Sequence, residues 1–182
     1  MDLRNRRRLQ AGLIVAVFVV PVIVMLGLAL AGWVPHGRSY GEHIQPERDL
    51  ADVPVELADG KPFAFANRDA IWTLVALPGP DCAERCLGQL DLVHRARIAL
   101  GQHADKLRLV YLGTPPAGTA AKGFEEVWTL ARTTSTELDD LRPATHDSIG
   151  AVLVTPFGMA LTRYAAGFDP EGLRQDLKKV VH

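Results

Sequence analysis

Cysteine is scarce in this chain of 182 residues: there are two, too few for a disulfide framework. An excess of charge of either sign is also missing. The net charge of −1 gives no electrostatic reason to propose nucleic acid as a partner. There is no internal repeat and no low-complexity tract, so the length fits one domain with an appendage. Hydrophobic residues make up 48% of the chain and supply the material for a core. One stretch, from Ala11 to Trp33, lacks charge altogether.

That uncharged run is apolar and long enough to cross a bilayer as a helix. Pro21 falls inside it, which a membrane helix tolerates. Arg4, Arg6, Arg7 and Arg8 precede it and should stay in the cytoplasm, so the remainder of the chain faces outward, into the periplasm of a bacterium. A cleaved signal peptide is the competing reading, with Ala29-Leu30-Ala31 as a small-x-small cleavage site. The run is longer than a signal h-region of roughly 7–15 residues, which favours an uncleaved inner-membrane anchor. Both readings put the soluble part where disulfides persist. The expected organisation is a basic cytoplasmic tail over 1–10, a transmembrane anchor over 11–33, a polar linker over 34–52 carrying His36 and His43, and a periplasmic domain over 53–182.

The domain is organised around Ile71 to Leu100. Ile71 to Leu77 is apolar, rich in aromatic and branched residues, and bounded by Pro78-Gly79-Pro80, as a buried strand would be. Asp81 is placed to cap a helix whose first turn carries Cys82 and Cys86. Leu87, Leu90, Val93, Ala96 and Leu100 give that helix a core-facing stripe. Two thiols at i and i+4 of one helix lie about 6 Å apart. A disulfide can close over that distance, and two sulfurs so placed can also share a metal ion. The helix start should favour thiolate. A five-residue disulfide loop adds little stability, so a purely structural bridge explains the pair poorly. Asp81, Glu84 and Arg85 argue against two inert buried thiols.

The flanking elements are read from pattern. Val53 to Leu57, Asp59-Gly60 and Pro62 to Phe65 read as a β-hairpin. Lys106 to Gly113 reads as a second central strand, so strand, helix and strand suggest a βαβ unit with parallel strands. Phe124 to Ala131 has an apolar pattern suited to a helix. Thr133 to Ile149 is polar and turn-rich. Ala151 to Thr155 reads as a third buried strand, turning at Pro156-Phe157-Gly158 into Met159 to Tyr164. Asp169 and Pro170 start a last helix with Leu173, Leu177, Val180 and Val181 as its stripe.

This order of elements is that of an α/β thioredoxin-like fold, a central mixed sheet flanked by helices. Cys82-Ala83-Glu84-Arg85-Cys86 has the Cys-x-x-x-Cys spacing, where thioredoxins usually carry Cys-x-x-Cys. With the anchor and the segment Val152 to Gly158, the chain resembles the Sco/SenC family of cytochrome oxidase assembly proteins, and a shorter proteobacterial set of Sco-like proteins. The resemblance implies one copper ion, as Cu(I) or Cu(II), held by Cys82, Cys86 and a distant histidine that falls near His146. It also implies, as partner, the copper-site subunit of cytochrome c oxidase. The chain departs from the family in three ways. Leu87 stands where the family has Pro. His146-Asp147-Ser148 replaces Asp-His-Ser, so the imidazole comes one residue early. The interval from Cys86 to His146 is shorter. In an extended segment a one-residue shift turns a side chain to the opposite face.

Two chemistries therefore stand open. Two thiolates and an imidazole suit copper, since soft sulfur selects Cu(I). Disulfide exchange needs the sulfurs alone: Cys82 would attack the disulfide of a periplasmic thiol client, an oxidase subunit or a cytochrome c, and Cys86 would resolve it. Ser148, Ile149 and Gly150 lack the proline that exchange enzymes of this fold place before the third strand, which leans towards metal. A surface role, with the cysteines vestigial, is the third possibility.

Overall fold

The computed structural model describes residues 16–27, 39–116 and 123–181. The chain divides into two compact units, Met1–Arg38 and Ser39–His182. In the first, residues 16–27 form helix α1, with apolar side chains such as Phe18, Ile23 and Met25 exposed. Twelve helical residues span about 18 Å, against a hydrocarbon core of about 30 Å. Among the described residues no helix is long and apolar enough to cross a membrane. The rest of the expected anchor, 11–15 and 28–33, lies outside the described residues, as do the basic tail, the Ala29–Ala31 cleavage alternative and 34–38 of the expected linker.

In the second unit the strands are β1 (Glu42–Asp49), β2 (Val55–Leu57), β3 (Pro62–Phe63), β4 (Trp72–Pro78), β5 (Leu107–Leu112), β6 (Thr129–Thr133), β7 (Ile149–Val154) and β8 (Met159–Tyr164). The helices are α2 (Glu84–Ile98), α3 (Phe124–Val127) and α4 (Pro170–Val180). Among the described residues these strands form one mixed sheet in the order β1-β8-β7-β4-β5-β6-β2-β3. β4, β5 and β6 run parallel, and every other neighbour pair is antiparallel. The parallel β4–α2–β5 unit and the β7–β8 hairpin are as the sequence predicts.

Alternation along the central strands builds two cores. Leu74, Ala76, Leu109 and Tyr111 face α2 and α4, packing with Cys86, Leu90, Val93, Leu173 and Leu177. Val75, Leu77, Val110 and Leu112 face the other way, onto Leu50, Phe65, Leu138 and Leu141. Burial on both faces explains why β4 and β7 read as unbroken apolar runs.

Three expectations need correction. Residues 42–49, read as linker, are β1, an edge strand on β8. Only Ile44 of that strand is buried, so it shows no alternation. Its Pro46 is tolerated because an edge strand has unpaired N–H positions. The helix expected over Phe124 to Ala131 is a single turn, Phe124–Val127, followed by β6. The open edge of β5 takes Thr129, Leu130 and Ala131 in parallel register, and sheet pairing outweighs local pattern. Finally, α2 begins at Glu84 rather than at the first cysteine, and Asp81 is not its cap.

Candidate functional site

β4 ends at Pro78, and a short turn delivers Cys82 to the mouth of α2. Cys82 and Cys86 are joined by a disulfide, with Cα atoms 5.1 Å apart. Cys82 lies just before the helix and is half-buried; Cys86 lies in its first turn, 1% exposed, in the core beside Leu90. The pair thus has an outer and an inner sulfur.

The start of α2 is capped from far along the chain. The Asp147 carboxylate accepts from the N–H groups of Ala83 (2.8 Å), Arg85 (3.0 Å) and Cys86 (2.9 Å). The Arg85 Nε adds a longer bond at 3.3 Å. These satisfy N–H groups that a helix start otherwise leaves without partners. The Cys86 N–H foremost, then those of Arg85 and Ala83, hold the Asp147 carboxyl down at about 2. The same residue takes positive φ (49°), a conformation Asp tolerates better than most side chains.

Asp81, expected as the cap, turns to the same loop instead. Its Oδ1 accepts from the Asp147 N–H (2.9 Å) and meets His146 Nδ1 (2.8 Å). Both contacts hold its carboxyl below the usual range, the Asp147 N–H most strongly. His146 is 81% exposed, and its backbone oxygen accepts from Arg85 Nη2 at 3.2 Å. The loop is fastened to the β4 turn as well: Gly79 N–H donates to the Ser148 oxygen at 2.9 Å. A Cβ at Gly79 would stand 2.5 Å from the Thr145 oxygen, so this approach requires glycine.

A hollow of about 690 Å³ opens beside the pair, lined by Cys86, Gln89, His146, Asp147 and Ala166 among others. The structure therefore brings Cys86 and His146 to one cleft, but it is Asp147, not His146, whose side chain reaches the cysteine helix. No local pattern links Asp147 to a helix more than sixty positions earlier; its one signal in the sequence is the inverted order of His146 and Asp147. His94, farther along α2, lines a separate groove with Leu87 and Trp128. Among the described residues no three His, Cys, Asp or Glu side chains stand together as a metal cage. With the disulfide closed neither sulfur is a thiolate donor, so this state does not fit copper.

Such a sheet, with a cysteine pair at the mouth of the helix after its central strand, defines a thioredoxin-like domain. The chain belongs to the family described as transmembrane-like, thioredoxin-like, C-terminal domain, which matches residues 72–182. No curated protein matches it. Similar solved structures include BsSco, a member of the Sco family of cytochrome c oxidase assembly proteins, at TM-score 0.52 and 13% identity over 75% of this chain and 95% of that one. A candidate thiol:disulfide interchange protein DsbE of Chlorobium tepidum gives TM-score 0.53 and 13% identity over 74% and 96%. A candidate electron transfer protein of Aquifex aeolicus VF5 gives 0.50 and 14% over 71% and 90%. At these identities the likeness is one of fold.

Proposed function

We propose that this protein is a membrane-anchored thiol–disulfide redox protein that works outside the cytoplasm of a bacterium through Cys82 and Cys86. The observation that carries the reading is the disulfide itself, with one half-exposed and one buried sulfur at the mouth of a helix. In the reduced chain the Cys82 thiolate attacks a client disulfide and displaces one client thiolate. Cys86 then attacks the Cys82 sulfur, closing the Cys82–Cys86 bond and releasing the client as a dithiol. Two electrons pass to the client, and a dithiol protein must restore the pair. The anchor over 11–33 would hold the domain at the membrane surface, within reach of a copper-site subunit of cytochrome c oxidase or a cytochrome c. BsSco, similar in fold, is described as a member of a family of cytochrome c oxidase assembly proteins, which is the ground for naming the oxidase among the clients.

Copper binding is the second reading, and one geometric detail favours it. Asp81 is a carboxylate, so His146 Nδ1 carries the proton of their 2.8 Å bond, and Nε2 is the ring atom through which a metal would be held. Metal-bound histidines are commonly oriented in this way. The donor set would be the reduced Cys82 and Cys86 with His146, and bound copper would supply a delivery function rather than turnover.

The test uses the reduced full-length chain in detergent with glutathione disulfide. Wild type should close its own disulfide and release two glutathione thiols per chain. Cys86→Ser should stop at a mixed disulfide on Cys82, and Cys82→Ser should react at least about 100-fold more slowly. Equal reactivity of both single variants would remove the exchange reading. A parallel anaerobic Cu(I) titration against a chelator tests the second: one tight equivalent, weakened by His146→Ala, supports copper.

A further inference from the structure

Helix starts usually favour a cysteine thiolate, because unpaired N–H groups and the positive end of the helix dipole stabilise its charge. At α2 that advantage is already taken. Asp147 occupies the N–H groups of Ala83, Arg85 and Cys86, including that of the inner cysteine itself at 2.9 Å. Its side chain is only 17% exposed, so water screens the charge incompletely. Three further charged groups face the same helix mouth. Glu84, in its first turn, adds a negative charge. Asp81 is held through the Asp147 N–H and His146. Arg85 brings a positive charge, through Nε at 3.3 Å from Asp147, and it is 78% exposed. The surroundings of the sulfurs are therefore acidic, with their hydrogen-bond donors already in use.

We propose that Asp147 is a positioning residue for redox chemistry: by taking the donors of the α2 start and adding its own charge there, it withholds stabilisation from the reduced sulfurs and keeps Cys82 and Cys86 as a disulfide that resists reduction. The inference rests on the redox reading above and deepens it, since it assigns the pair to the reducing end of the thiol–disulfide scale. A pair whose reduced form lacks stabilisation gives its electrons away readily, whereas a stabilised reduced form makes a strong oxidant. The substrates that fit are disulfides to be opened, rather than dithiols to be closed. In each turnover the client disulfide gains two electrons and the Cys82–Cys86 bond forms.

The experiment is a redox equilibrium of the full-length chain in detergent against glutathione and its disulfide at pH 8.5, where thiolates are populated. Reduction breaks the Cys82–Cys86 bond, and two glutathione thiols become one glutathione disulfide. The buffer's own titration cancels when variant and wild type are compared. Asp147→Asn suits positive φ and keeps one oxygen, enough for the Ala83 and Cys86 N–H groups, but removes the charge and the acceptor of the Arg85 N–H. It should shift the equilibrium about tenfold towards the dithiol, a rise of about 30 mV. Arg85→Gln, at an exposed position, should shift it the opposite way. Glu84→Gln, which removes a nearby charge that caps nothing, should move it less than about threefold. A shift below twofold for Asp147→Asn, or one equalled by Glu84→Gln, would overturn the proposal. If the reduced wild-type pair formed no mixed disulfide with glutathione and did not close its own bond, the redox reading itself would fall. A wild-type pair that stays oxidised even in excess glutathione supports the proposal, and the variants are then compared in a stronger dithiol buffer. Circular dichroism at matching temperatures separates these effects from loss of fold, because a merely structural cap would not move a potential.

Discussion

Both α2 and α4, which pack on the same face of the sheet, are served by aspartates, but from different places. α4 is capped by its neighbour: Asp169 accepts from Glu171 N–H (3.1 Å) and Gly172 N–H (2.9 Å), and Pro170 comes next, at the first helical position. α2 has no cap of its own; its flanking Ala83 offers no side-chain bond, and Asp147 reaches it from the loop before β7. A local cap fixes where a helix begins. A remote cap also fixes what lies against that beginning, here the loop carrying His146 and the hollow beside Cys86. The acids of α4 thus act on stability alone, while the acid at α2 acts on stability and on sulfur chemistry together.

The largest effect that would sharpen this contrast comes from α4. Asp176 is buried, and its Oδ2 accepts from Tyr40 N–H (2.7 Å), Ser39 Oγ (3.1 Å), Gly41 N–H (3.2 Å) and Tyr164 O–H (3.3 Å). Burial alone would raise its carboxyl, but Lys179, the two N–H groups and Ser39 together hold it low. Asp176→Ala should cost about 3 kcal/mol in urea unfolding, because it leaves the buried Tyr164 hydroxyl and three partly buried donors without their acceptor. It should leave the Cys82–Cys86 equilibrium within twofold of wild type. A redox shift in this variant as large as that of Asp147→Asn would erase the distinction between the two regions.

Acid should break the α2 cap next. The Asp147 carboxyl sits at about 2 when folded, with the Cys86 N–H as its chief partner, against about 3.9 for a free aspartate. A depressed folded value gives stability that is complete above about pH 4 and is lost as pH falls through about 2. Glu171, held at about 2 chiefly by Arg174, contributes to the same window from α4. Thermal unfolding of wild type should therefore fall between pH 4 and pH 2, and the gap between wild type and Asp147→Asn should narrow over that range. Parallel curves for the two proteins would show that the cap carries no charge-dependent stability. Asp169→Ala should cost about 1 kcal/mol, with Asp169→Asn near neutral, and neither should move the redox equilibrium.

The same contrast marks how much could be read in the sequence. The Asp169-Pro170 start of α4 is legible because cap and helix are adjacent. β4, β5, β7 and β8 are legible because apolar runs between turn residues admit little else. β1 is not, because an edge strand with one buried residue has no pattern to find, and β6 is not, because its apolar spacing fits a helix equally well until β5 offers it an edge. The site is half legible. Cys82 and Cys86 are identified by spacing and position, and the displaced order of His146 and Asp147 is visible as a departure. That this displacement turns the carboxylate, instead of the imidazole, onto the cysteine helix emerges only from how the loop meets α2.

The smallest effect comes from that swap. His146 is exposed, and removing its imidazole leaves the Asp147 N–H still bonded to Asp81 Oδ1 and the three N–H bonds of the cap untouched. His146→Ala should therefore change neither the glutathione equilibrium nor the rate of disulfide closure by more than about twofold, since no charge or donor at the helix start is altered. A larger change would mean that the ring, not the carboxylate, governs the sulfurs, and that the two helix starts differ for another reason. The same variant gives the copper reading its sharpest trial, because an imidazole that does nothing for exchange would still be required as the third ligand. Loss of Cu(I) affinity with exchange intact would assign the two functions of the pair to separate neighbours, His146 for the metal and Asp147 for the disulfide.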